Sequence, residues 1–164
     1  MKRIVKGILA AILLLLPALA LAEGPVLLIE LPEDARMIEN VEFENGDFIQ
    51  TYQLDGGVTA QLLRYAAFDM NLEDLIEGEW TEAVSVQALE IAEIAGYPAQ
   101  GAHLLHQEAN TMYDVYMLLV EADGQTLLFE AVFPNAMGSE AVSAQMNGWL
   151  ESMTVSGGES DEVG

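Results

Sequence analysis

The chain has 164 residues, no cysteine and 52% apolar side chains, with 27 acidic residues against five basic ones for a net charge of −22. That composition excludes global disorder, which needs an apolar-poor chain. It also excludes nucleic acid and anionic lipid surfaces as direct partners, because phosphate binding requires clustered Lys and Arg.

Lys2, Arg3 and Lys6 precede the apolar run Ile8–Leu16, which Pro17 breaks, and Ala20-Leu21-Ala22 is an A-x-A cleavage signal. Residues 1–22 are therefore read as a signal peptide, too short for the roughly 20 apolar residues of a membrane span. No cysteine stands at the cleavage point, so no lipid anchor is expected. The protein is expected to be exported, secreted or periplasmic, with no membrane span in the mature chain. The lack of disulfides points to a bacterial source. Residues 23–155 suit a single α+β domain, and 156–164 a disordered acidic tail.

Val26–Leu31 is apolar and β-rich, ended by Pro32, and reads as an edge strand or extended lead-in. Arg36–Glu44 alternates loosely before the turn dipeptide Asn45-Gly46. Phe48–Leu54 and Val58–Ala66 flank Asp55-Gly56-Gly57, a hairpin signal because Gly accepts the positive φ of such turns. Asn71 with Asp74 resembles a capping box, opening a helix whose stripe is Leu72, Leu75, Ile76 and Trp80. Val84–Ala95 is compatible with helix or strand. The Gly96-Tyr97-Pro98 that follows favours two strands joined by a tight turn. Met112–Glu121 and Thr126–Phe133, joined by Ala122-Asp123-Gly124-Gln125, form the clearest hairpin. Both faces of these strands are apolar, as in a sheet covered on both sides. Ser139 can cap a last helix with the stripe Val142, Met146, Trp149, Leu150 and Met153. Gly148 inside it is a defect of about 1 kcal/mol relative to Ala, for which close packing on the sheet is one reason. Tyr113, Tyr116, Phe129, Phe133 and Trp149 are expected in the core.

Four phrases in this order resemble the PsbP-like family of small extracytoplasmic domains, which includes DcrB-like bacterial proteins. Leu31-Pro32-Glu33-Asp34 resembles its opening turn and Ile94-Ala95-Gly96-Tyr97-Pro98-Ala99 its G-x-P-A turn. Ala122-Asp123-Gly124-Gln125 resembles its central hairpin, and Trp149-Leu150-Glu151-Ser152 the end of its last helix. The resemblance implies an α+β fold with a twisted antiparallel sheet flanked by helices, an α/β/α sandwich. It also implies strand over Val84–Ala95. Members of the family include accessory subunits of photosynthetic complexes, and no catalytic residue carries over.

The metal candidates are His103, His106, Glu42, Glu44 and Asp47. His103 and His106 share a face only on a helix; on a strand they project to opposite faces, and the H-E-x-x-H zinc pattern is absent. Glu42, Glu44 and Asp47 surround Gly46 with oxygen donors, but six residues beyond that glycine stands Tyr52 where a calcium loop needs Glu. A solvated acidic turn is the plainer reading. There is no G-x-S-x-G and no phosphate loop, so no catalytic or cofactor-binding residue is assigned and no cofactor is expected. More than half of the acids fall in residues 23–82, which serves solubility or draws a basic protein or peptide surface. The expected function is a non-enzymatic accessory or interaction domain; the alternative is a small-ligand or divalent-cation binder.

Overall fold

The three longest strands follow one another along the chain, joined by tight turns. In a computed structural model that describes residues 24–66 and 71–157, they are β7 (Tyr97–Glu108), β8 (Thr111–Ala122) and β9 (Gln125–Pro134). Asp123 and Gly124 both take positive φ, 50° and 75°. This is the left-handed pair that a two-residue hairpin needs to follow the twist of its strands. The expected signal peptide and residues 158–164 of the expected tail lie outside the described residues.

The other strands are β1 (Val26–Leu28), β2 (Arg36–Glu42), β3 (Phe48–Gln53), β4 (Thr59–Ala66), β5 (Ala83–Leu89), β6 (Glu93–Ile94) and β10 (Thr154–Ser156). The helices are α1 (Leu72–Glu79) and α2 (Ser139–Ser152). Eight strands make one antiparallel sheet in the order β2-β3-β4-β9-β8-β7-β5, with β6 beside the start of β7. Val84–Ala95 is thus extended, but as β5 and β6 separated by irregular residues 90–92 rather than as one strand. Of Val26–Leu31, expected as an edge strand or lead-in, Val26–Leu28 forms a strand of a separate ribbon, pairing with β10 through Val26 opposite Ser156.

Alternation sorts the side chains into two cores. On the first face Leu118, Val120, Phe129, Ala131 and Phe133 pack with Val26 and Leu27 and with Val142, Met146 and Trp149 of α2. The Trp149 ring lies 5.6 Å from Phe129 and 5.7 Å from Phe133. On the second face Leu104, Val115, Met117, Leu119 and Leu128 pack under Leu72 and Leu75 of α1.

The expected α/β/α sandwich is corrected here: 53% of the described residues are strand, around an eight-stranded antiparallel sheet with two helices. The reason is length. Eight residues of helix span about 12 Å, whereas seven strands abreast span roughly 30 Å, so α1 cannot form a layer. On the first face α2 shares the covering with β1. Two details of α2 also differ from expectation. Ser139 is its first residue rather than its cap, and Gly138 holds the cap position without a side-chain bond. Gly148 is exposed, with no atom within 4 Å of where its Cβ would stand, so close packing does not account for it.

Candidate functional site

The short α1 divides the second face into a polar end and an apolar trough. Its start is fixed by Asn71, whose Oδ1 accepts from the Asp74 N–H at 2.9 Å while its Nδ2 donates to Asp74 Oδ2 at 2.7 Å. The first bond is that of an N-cap; the second ties the two side chains together instead of reaching the Asn71 N–H as a capping box would. From that start, Leu72 and Leu75 are buried and Ile76 and Trp80 half-buried, while Glu73 and Glu77 stay exposed.

At the polar end, Trp80 Nε1 donates to Glu130 Oε2 at 3.0 Å, and the edge of its ring meets the His106 imidazole at 4.9 Å. Glu130 follows the inward alternation of Leu128 and Val132 on β9, so the sheet takes its carboxyl out of water. Burial pushes its pKa up to about 7; the Trp80 hydrogen bond opposes the rise and the neighbouring Glu79 adds to it. Partial desolvation also raises Glu79. Tyr65 rises chiefly from burial, with Glu79, Asp47 and Glu130 adding to it. A carboxyl placed so can hold or release a proton at neutral pH.

Beyond α1, no described residue covers this face along β5, whose residues 84–88 are exposed. Leu72 and Ile76 on one side and Val86 and Ala88 on the other bound a trough of about 570 Å³ floored by Ala102, with Glu73 and Glu77 on its rim. It opens along β5, the last strand of the sheet. There Val84 and Val86 are 60% and 53% exposed.

The histidines both lie on β7 but on opposite faces. His103 Nε2 is 2.7 Å from Asp114 Oδ1 and stacks on Tyr116 at 4.4 Å on the first face. His106 meets Trp80 on the second. Glu42, Glu44 and Asp47 surround the β2–β3 turn, where the Asp47 N–H donates to Asn45 Oδ1 at 3.2 Å. Among the described residues no three His, Asp or Glu side chains gather to hold a metal ion.

Sequence reasoning assigned no role to Arg64. It is 1% exposed, its Nε donates to the Gly46 carbonyl at 2.9 Å, and its guanidinium lies 5.2 Å from the Phe48 ring centre. Burial lowers its pKa, opposed by the charges of Asp47 and Glu42. Two of the supposed cation ligands thus answer a cation already in the chain. Glu130 was missed as well. In both cases the signal was a single charge inside an apolar strand, which alternation directs inward.

Among the described residues no helix is long and apolar enough to cross a membrane. No protein-family profile matches the chain, and no curated protein does. The PsbP-like resemblance therefore stands on its four phrases and is not confirmed. Among solved structures, the crystal structure of LpqN of Mycobacterium tuberculosis, described as involved in cell envelope biogenesis, is similar with a TM-score of 0.49. The identity is 15%, over 81% of this chain and 84% of that one.

Proposed function

We propose that this protein is a non-enzymatic interaction domain acting outside the cytoplasm, holding a partner that carries positive charge. The observation that carries the reading is the trough beside α1: apolar, acidic at the rim, and open along its length. Small-molecule sites enclose most of their ligand and converge a few polar groups on it. An open apolar strip bordered by charge suits a protein surface instead. The net charge of −22 favours a basic partner, both in encounter rate and in rejection of acidic competitors.

The test is capture of partners from an extracytoplasmic fraction on the immobilised protein, washed at low and at high salt. A partner retained at low salt and released at high salt is expected. Retention of nothing at low salt would overturn the reading.

A further inference from the structure

We propose that the free edge of β5 receives an extended segment of the partner, rich in alternating apolar and basic residues, as an additional strand of the sheet. This rests on the interaction-domain reading and names its surface. A terminal strand presents a row of backbone N–H and C=O groups that another chain can pair with, and proteins ordinarily blunt such edges with charge or proline. The two ends of this sheet differ in that respect. β2 carries Arg36, Glu39 and Glu42 within seven residues, and the Glu39 carboxylate accepts from Thr51 Oγ1 at 2.9 Å. β5 reads Ala-Val-Ser-Val-Gln-Ala-Leu, with no charge and no proline; both of its valines are exposed, and among the described residues it pairs only with β7.

The trough supplies the chemistry of the occupant. A strand added outside β5 lies about 4.8 Å from it, and every second side chain projects to the α1 side. Such a side chain first meets Val86, Ala88 and Ile76, then the rim of Glu73 and Glu77 one helical turn apart. An apolar stem ending in a cation satisfies both, so Lys and Arg fit where a purely apolar or an acidic side chain does not. A second copy of this chain is the poorer occupant. Its own β5 has no cation to offer the rim, and two bodies of this charge repel.

The test uses the whole chain and a nine-residue peptide alternating Lys and Val, with a Glu–Val peptide as control. Saturable binding of the Lys–Val peptide at low salt is expected, with slowed amide exchange across residues 84–88 and none for the control. Val86→Lys should weaken binding about tenfold while Ile38→Lys on β2 leaves it unchanged. Should Val86→Lys melt early, the surface variant Glu73→Gln/Glu77→Gln should weaken binding several-fold and flatten its salt dependence. Equal binding by Val86→Lys, protection at β2 instead of β5, or a wild-type dimer that Val86→Lys abolishes would each overturn the proposal. If Val86→Lys still retains the natural partner, the edge is wrong and the interaction reading survives. If wild type retains none, the reading itself falls.

Discussion

Glu130 shows how far one side chain can set the pH response of this fold. Its folded pKa, raised from 4.5 to about 7, means that the native state holds a proton the unfolded chain has released. Its contribution is fully present below the unfolded value, is lost as pH rises through about 7, and is constant beyond. Replacing it with Gln removes the charged form while leaving an oxygen for Trp80 Nε1. Glu130→Gln should therefore match wild type in denaturant titrations near pH 4 and exceed it at pH 8 by up to about 3 kcal/mol. Parallel curves across that range would mean that the carboxyl is not buried as described. Glycines make a second contrast. Gly148 faces open space in α2, so Gly148→Ala should stabilise by about 1 kcal/mol. A Cβ on Gly101 would stand 2.9 Å from Leu118 Cδ2 and 3.1 Å from Leu89 Cδ1. Gly101→Ala should destabilise by about 1–3 kcal/mol in the same titration.

At the level of elements, the eight residues of α1 decide what stays open on the second face. The Asn71 cap sets where it begins, and Asn71→Ala should cost about 1 kcal/mol by thermal melting, with faster amide exchange at Asp74 than in β8. The helix, its cap and its stripe were legible, since Leu72, Leu75, Ile76 and Trp80 declare one face. The β8–β9 hairpin was legible for a similar reason: Asp123-Gly124 between two apolar runs leaves little alternative. What could not be read was how much sheet one helix must cover. Strand order is a non-local property, and nothing local in Thr59–Ala66 says that it pairs with Gln125–Val132. The sandwich expected from the family resemblance failed at that step; Val26–Leu31, read as an edge strand or a lead-in, does supply a strand at Val26–Leu28, but its partner Thr154–Ser156 could not be read locally. The candidate site was less legible than the fold. The trough draws on α1, β5 and β7, whose contributions mean something only once they are neighbours. The acidic turn at Glu42–Asp47 attracted attention by composition alone, while its cation, Arg64, waited 17 residues beyond Asp47 in the next hairpin.

For the molecule as a whole, charge acts in two opposing directions. With 27 acids on the chain and Arg64 enclosed beside Asp47 and Glu42, the surface is close to single-signed. Like charges destabilise the compact state, and salt relieves them over a screening length of about 10 Å at 0.1 M. The melting temperature should therefore rise with added sodium chloride, while affinity for a basic partner falls, so stability and function carry salt dependences of opposite sign. The same reasoning bears on divalent cations. The Arg64 guanidinium already lies among the charges of the β2–β3 turn, so calcium should act there as a screening ion without a site of its own. Melting curves in sodium, magnesium and calcium chlorides should then follow ionic strength without saturating. A calcium-specific rise that saturates, and that disappears in Asp47→Asn, would restore the turn as a cation site and assign Arg64 a different role.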